Sequence, residues 1–210
     1  MVLGSLANIW RYPVKSLRGE ALNGVAVGPD GLDGDRERAF IVKDGHARAG
    51  KTYRGKEHER LHLGNIEHAQ RIASERGVDV ALTDFPERAF DDAPVSLIVD
   101  RWLDGLSEYV GYRVEHERFR PNLFVNAVEA MTLNEPDLTG RELQLGDVAL
   151  RVRYPIERCV VTTYDPHGGD ADARILRYVA QARSTWMGIY CDVLRAGTVR
   201  IGDSLALVER

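Results

Sequence analysis

The chain has 210 residues, of which 44% are hydrophobic and 29% charged, and a formal net charge of -4 at pH 7. Those are the proportions of an ordinary globular protein with room for one sizeable core or two small lobes sharing an interface. They weigh against nucleic acid as the main partner, although a few convergent Lys and Arg can still build a local pocket for a small anion. No apolar run reaches the length of a membrane span, and MVLGSLANIWRYPVKS has neither the basic start nor the apolar core of a signal peptide. A cytoplasmic protein with no membrane partner is therefore expected. Two cysteines, Cys159 and Cys191, make neither a disulfide framework nor a zinc knuckle.

In chain order, Leu3 to Tyr12 reads as a strand broken at Pro13. The loop Pro13-Val14-Lys15-Ser16-Leu17-Arg18-Gly19 then carries two cations and a hydroxyl, which suits either phosphate contact or a solvated connection. Leu22, Val25 and Val27 suggest a second strand. The aspartates between Gly28 and Asp35 lack calcium-loop spacing and read as turn residues. Arg36, Glu37 and Arg38 lead into a short strand, Ala39 to Val42, closed by the hairpin signal Asp44-Gly45.

His58-Glu59-Arg60-Leu61-His62 matches the zinc-protease pattern, in which two histidines one helical turn apart hold metal and the glutamate activates water. Gly55 and Gly64 confine it to about two turns among Lys56, Glu57 and Arg60, so it reads as a solvated helix or loop, with a zinc metallopeptidase as a remote alternative. Ile66 to Thr83 is ambiguous, but Val78 to Thr83 alternates after Arg76-Gly77, favouring strand, turn and strand. Val95 to Val99 is a buried strand. Asp100 then caps a helix with Trp102, Leu103, Leu106 and Tyr109 on one face, stopped by Gly111.

Arg113 to Asn126 reads as extended. Within it, Arg118, Arg120 and Asn122 bracket Pro121, either presenting donors to an anionic or heterocyclic ligand or standing exposed at a strand entrance. Val148 to Tyr154 is a strand leading to ERCVVTTYDPHGG. There Arg158 precedes the thiol of Cys159 and favours its thiolate, the form that binds soft metals. Val160 to Thr163 is β-branched and reads as a short strand ended by Asp165-Pro166, although a lone cysteine in a strand is also commonly a small buried hydrophobe. Ala171 to Arg183 is helical, with a stripe of Ile175, Leu176, Val179 and Ala180. Met187 to Leu194 and Ser204 to Val208 are strands, joined by Gly197 and Gly202-Asp203. Many short strands with few helices predict a mainly β (α+β) fold, a closed barrel with peripheral helices.

Five blocks in this order, YPVKSLRG, GDRERAFIV, RFRPNLFV, RCVVTTYDP and GTVRIGDSLAL, resemble the MOSC-domain proteins. These are relatives of the C-terminal domain of molybdenum cofactor sulfurase, and include the mitochondrial amidoxime-reducing components and the bacterial hydroxylaminopurine-resistance proteins. The resemblance is weakest between about Gly45 and Asp92. It implies a single compact MOSC-type β-barrel unit, residues 1–210, with a β-rich lobe over 1–90 and a core carrying the cysteine motif over 91–210.

It further implies molybdenum cofactor (molybdopterin) as the bound group. Cys159 matches the thiolate that ligates molybdenum, chemically apt for a metal already held by sulfur. Lys15 and Ser16 match the positions that hold the cofactor phosphate, helped by either Arg36 or Arg38. Arg120 and Asn122 match the pair facing the pterin, and Arg158 flanks the thiol. Thr162, Thr163 and Asp165 are expected to fix the cysteine and its loop, with Asp165 counted in the catalytic group. The implied activity is oxygen removal from a small N-hydroxylated substrate. No iron-sulfur, flavin or nicotinamide motif is visible, so electrons would come from a separate donor protein. The alternative is a cofactor carrier or sulfur-transfer module using Cys159.

Overall fold

The computed structural model describes residues 1–43 and 47–208. Its strands are β1 (Val2–Arg11), β2 (Glu20–Leu22), β3 (Gly24–Gly28), β4 (Gly31–Leu32), β5 (Arg38–Val42), β6 (Val80–Asp84), β7 (Val95–Val99), β8 (Leu123–Ala127), β9 (Glu142–Leu145), β10 (Val148–Glu157), β11 (Trp186–Arg195), β12 (Gly197–Arg200) and β13 (Ser204–Leu207). Its helices are α1 (Ile66–Glu75), α2 (Asp104–Val110), α3 (Glu135–Leu138) and α4 (Ala173–Ala182).

Seven strands close into a barrel in the order β1, β13, β9, β10, β11, β7, β8 and back to β1, with β2 added beside β1. Its neighbours are antiparallel except β7 and β8, which run parallel. Parallel neighbours need a crossover, and the 3₁₀ turn Asp100–Leu103 followed by α2 supplies part of it. Alternation decides which side chains fill the barrel. Along β10, Val148, Leu150 and Val152 are buried whereas Arg151 and Arg153 face out. Leu3, Leu6, Ile9, Leu97, Leu123, Leu143 and Ile189 are also buried in this core, each contributing roughly 1.5–3 kcal/mol by leaving water.

A second core lies between Val14 and Val80, where Phe40, Val42, Tyr53, Leu61, Ile72 and Ala73 pack beneath the β5–β6 pair and α1. The strand pairing does not follow a division near residue 90. β1 is a stave of the barrel, and β12, from the other end of the chain, pairs with β3. Among the described residues no helix is long and apolar enough to cross a membrane.

Several local readings change. Ile66 to Glu75 is helix rather than strand: Asn65 caps it by accepting from the His68 amide, and Ala69, Ile72 and Ala73 form its buried stripe. Only from Val80 does the chain become a strand, and it pairs with β5. The Asp44-Gly45 turn lies outside the described residues. Asp100 does not cap α2; its carboxylate accepts from the Arg101 and Ala127 amides, and Tyr109 is exposed, while Gly111 ends the helix at φ +82° as expected. Arg113 to Asn126 is extended only in part, because His116 to Phe119 forms a 3₁₀ turn. Gly197 begins a strand rather than a connection.

Candidate active site

The C-terminal end of β10 delivers Glu157, Arg158 and Cys159 to the rim of a cavity of about 350 Å³. Val160 to Thr163 does not continue as a strand. It coils into a 3₁₀ turn, because each threonine hydroxyl bonds back three residues: Thr162 Oγ1 to the Cys159 carbonyl at 3.0 Å and Thr163 Oγ1 to the Val160 carbonyl at 2.7 Å. β-Branched side chains favour extension, but here the hydroxyls supply the competing local bonds. The result leaves the Cys159 thiol exposed at the start of the turn instead of buried in a strand.

Arg118, buried at 6% exposure, holds this turn from below. It donates to the carbonyls of Thr163 (3.1 Å) and Tyr164 (3.0 Å) and pairs with the Asp165 carboxylate at 2.8 Å. Burial acts to raise the Asp165 pKa, but the amides of His167 and Gly169, together with Arg118, hold it below the usual range. His62 stands 2.7 Å from the Asp165 carbonyl and stacks beside Tyr164, and burial lowers its pKa.

Arg158 lies across the barrel end. Its Nε donates to the Met187 carbonyl (2.7 Å) and its Nη1 to that of Phe119 (2.9 Å), while Nη2 is buried without a partner. Burial draws its pKa down to about 10, still well above neutrality.

At the other end, Lys15 and Ser16 sit in the loop after β1. Backbone bonds to Arg38, Lys15 N–H to Arg38 O at 2.8 Å among them, set the position of this loop. Ser16 adopts φ +72°, Arg36 +50° and Arg120 +51°, a left-handed conformation that costs a non-glycine residue about 1 kcal/mol. Ser16 Oγ accepts from the Gly55 amide at 2.9 Å, which leaves its proton for another acceptor. Arg36 and Arg120 rest on the ring of Tyr12, at 4.9 and 4.2 Å from its centroid. Burial pushes the Tyr12 pKa up to about 12 despite those two cations, so the ring stays neutral.

Arg36 is paired with Asp35, and Arg120 donates to the Leu17 carbonyl at 2.6 Å. Burial lowers the pKa of Arg120; it opposes that of Arg36 too, but Asp35 and Tyr12 leave Arg36 raised. Asn122 is a brace: its Oδ1 accepts from the Ser96 amide, the Ser96 hydroxyl and Arg36, and its Nδ2 donates to the Trp10 carbonyl. Lys15 pairs with Asp91 at 2.6 Å. Desolvation works against ionised Asp91, yet Lys15, Arg36 and Arg120 hold its carboxyl below the usual range.

Of the residues expected from sequence, Lys15, Ser16, Arg36, Arg120, Asn122, Arg158, Cys159 and Thr162 line this one cavity. Three expected residues do not. Arg38 contributes its backbone from β5, which separates it from Arg36; Thr163 is turned into its own 3₁₀ turn; and Asp165 is spent on Arg118 and the His167 amide, so it is a support and not a lining group. The sequence reading missed Arg54, Lys56 and Asp91 as lining residues and Tyr12 as the bench under two arginines; it singled out His62 only within the zinc pattern, and Arg118, weighed from sequence as a ligand donor, does line the cavity. Tyr12 could have been noticed from its place just before the Pro13 break; the others come from segments that only the fold brings together.

The zinc-protease pattern fails on geometry. His58 is the extended residue that follows the 3₁₀ turn Gly55–Glu57, and His62 lies in a separate 3₁₀ turn, Leu61–Leu63, so the histidines do not stack one α-helical turn apart. Among the described residues there is no group of three or more His, Cys, Asp or Glu able to hold a metal.

Residues 51–206 match the family described as the MOSC domain, and residues 3–98 that described as the MOSC N-terminal beta barrel domain. The chain belongs to the MOSC family. It is similar to mitochondrial amidoxime reducing component 2 of Rattus norvegicus, 32% identical over 127 residues, which cover 54% of this chain and 36% of that protein. It is also similar to mitochondrial amidoxime-reducing component 1 of Homo sapiens, 25% identical over 131 residues, covering 56% of this chain and 38% of that one. The matched part is thus little more than a third of the length of these curated relatives. The fold of this MOSC chain is shared by the YuaD protein from Bacillus subtilis, with a TM-score of 0.57 at 16% identity over 98% of this chain and 94% of that one. YiiM from Escherichia coli shares it with a TM-score of 0.52 at 13% identity over 100% and 71%.

Proposed function

We propose that this MOSC chain binds molybdenum cofactor and reduces small N-hydroxylated compounds with electrons from a separate donor protein. The observation that carries the reading is one cavity with an exposed soft ligand, Cys159, at its rim and a wall of cations. Seven Lys and Arg side chains line it against the carboxylates of Asp91 and Glu157, in a chain whose net charge is negative. That donor set fits the group: a thiolate suits molybdenum, and a cluster of cations suits a phosphate. The unpartnered Arg158 Nη2 is a further donor still to be satisfied.

In this reading Lys15, Ser16 and Arg36 hold the phosphate, Arg120 and Asn122 border the pterin, and Cys159 ligates the metal. When bound, the cofactor supplies the two-electron centre at which an N–O bond is cleaved. The protein's part is positioning. Arg118 and Thr162 keep the Cys159 turn in place, and the Tyr12 ring keeps Arg36 and Arg120 turned toward the anion. The exposed thiol also favours a second reading, a carrier or sulfur-transfer module working through Cys159.

The test is metal and pterin analysis of protein from a molybdate-supplied host, wild type beside Cys159→Ala. The expected result is about one molybdenum per chain in wild type, with metal lost and pterin largely kept in the variant. Wild type devoid of both overturns the cofactor assignment. Turnover of benzamidoxime with an artificial reductant separates the reductase from the carrier.

A further inference from the structure

The cavity holds more positive charge than the proposed cofactor uses, and the excess is concentrated on one short segment. Arg54, Gly55 and Lys56 form and flank the 3₁₀ turn Gly55–Glu57, within the stretch where the family resemblance is weakest. This segment is pressed between the two halves of the site. The Gly55 amide donates to Ser16 Oγ at 2.9 Å, and a methyl group placed on Gly55 would touch the Val161 side chain at 3.6 Å and Ser16 Cβ at 3.8 Å. Arg54 and Lys56 therefore stand where the loop after β1 meets the turn that follows Cys159.

The charge accounting singles these two out. Lys15 has Asp91, Arg36 has Asp35 and Arg118 has Asp165. Arg120 and Arg158 lack a carboxylate partner among the described residues, but they are oriented by backbone carbonyls and lie among the groups assigned to the cofactor. Lys56 has no ion-pair or hydrogen-bond partner among the described residues. Among the described residues Arg54 reaches only Glu57, at 3.5 Å, and that carboxylate is shared with Arg48. The Arg54 Nε is itself buried without a hydrogen-bond partner. Two under-used cations on the wall of the cleft that also holds the exposed Cys159 thiol form a subsite for an oxyanion.

We propose that Arg54 and Lys56 select substrates carrying a carboxylate or phosphate group in addition to the N-hydroxylated nitrogen. The substrate class rests on the reductase reading; the charge selectivity of the cleft does not.

The experiment measures equilibrium binding, by calorimetry on the full chain as purified and with no reductant, so that nothing turns over. Three probes differ in one substituent: 4-carboxybenzamidoxime, 4-phosphonobenzamidoxime and the neutral 4-carbamoylbenzamidoxime. The anionic probes are expected to bind about tenfold more tightly than the neutral one, the value of two partly screened ion pairs. Comparing the two anionic probes identifies which oxyanion is preferred. In Arg54→Gln/Lys56→Gln the preference should fall to near parity with neutral-probe affinity unchanged, whereas Lys15→Gln should retain it. Equal binding of charged and neutral probes to wild type overturns the proposal. So does absence of binding by all three, or a preference that follows Lys15 rather than Arg54 and Lys56. Turnover with an artificial reductant is read separately: charge preference without reduction leaves the subsite standing and sinks the reductase, and reduction without charge preference does the reverse.

Discussion

Asp165→Ala tests how the turn after Cys159 is held. The carboxylate gives the buried Arg118 guanidinium its only acidic partner among the described residues, at 2.8 Å, and accepts from the His167 amide at 2.8 Å. Breaking a fully buried pair costs about 3–5 kcal/mol. Asp165 is 22% exposed, so water can solvate the orphaned groups, and Arg118 keeps two carbonyl acceptors. About 2 kcal/mol is therefore expected for Ala, and about 1 kcal/mol for Asn, which keeps an acceptor for His167. The sign with pH follows from the depressed pKa of Asp165. Its contribution is complete above the unfolded carboxyl value, about pH 4, and is lost as pH falls through the lower folded value. Urea unfolding gives the stability, and the rate of Cys159 modification by a disulfide reagent gives the local effect, which should rise as the turn loosens. An alanine variant within about 0.5 kcal/mol of wild type, with unchanged thiol reactivity, would refute the clamp.

His116 accepts from Trp10 Nε1 at 3.1 Å and stacks on Phe124 at 3.9 Å, and burial lowers its pKa to about 4. The folded state thus binds fewer protons than the unfolded one between about pH 6.5 and pH 4, and stability should fall by about 2–3 kcal/mol across that window; denaturation midpoints of wild type and His116→Gln, which lacks the titration, check this. Tyr12→Phe removes only the bond from its hydroxyl to the Pro121 carbonyl and should cost about 1 kcal/mol with phosphate binding unchanged. Tyr12→Leu removes the ring beneath Arg36 and Arg120 and should weaken inorganic phosphate binding as well, read by thermal shift with and without phosphate. Leu97→Ala, at the centre of β7 and fully buried, should cost about 2–5 kcal/mol in the same unfolding assay.

Much of the barrel was legible because its staves obey period two or run wholly apolar. β1, β7, β10 and β11 fall close to where alternation and burial place them. What failed did so where a local bond outweighed propensity. Val160 to Thr163 has the composition of a strand, yet two hydroxyl-to-carbonyl bonds coil it. Ile66 to Glu75 carried a helix signal, Asn65 followed by a stripe of Ala69, Ile72 and Ala73, that was outweighed by the alternation beginning at Val78. The parallel pairing of β7 with β8 and the return of β12 to β3 join distant segments and leave no mark in either sequence. The site was legible at its motifs, where Lys15, Arg36, Arg120 and Cys159 converge on one cavity, and illegible where the fold adds Arg54, Lys56 and His62 from the middle of the chain. Between Arg36 and Arg38 no pattern could decide. The structure puts Arg36 and not Arg38 on the cavity wall, with Arg38 already in β5 and Arg36 before it at positive φ.

The way the cations are held bears on what the cavity can do. An arginine fixed by a carboxylate is oriented and neutralised together; one fixed by carbonyl oxygens is oriented and keeps its full charge. Arg158 is held by the carbonyls of Met187 and Phe119, Arg120 by that of Leu17, and Arg118 by those of Thr163 and Tyr164 beside its one acid. Arg158 and Arg120 are locked without cancelling their field, whereas Asp165 offsets Arg118, so an entering anion meets a preorganised positive wall at the first two and little reorganisation is left to the moment of binding. The left-handed backbone at Ser16, Arg36 and Arg120 belongs to the same economy. About 1 kcal/mol of strain at each is tolerated because the surrounding contacts, among them Ser16 Oγ with the Gly55 amide, Arg36 with Asp35 and Arg120 with the Leu17 carbonyl, over-determine these positions.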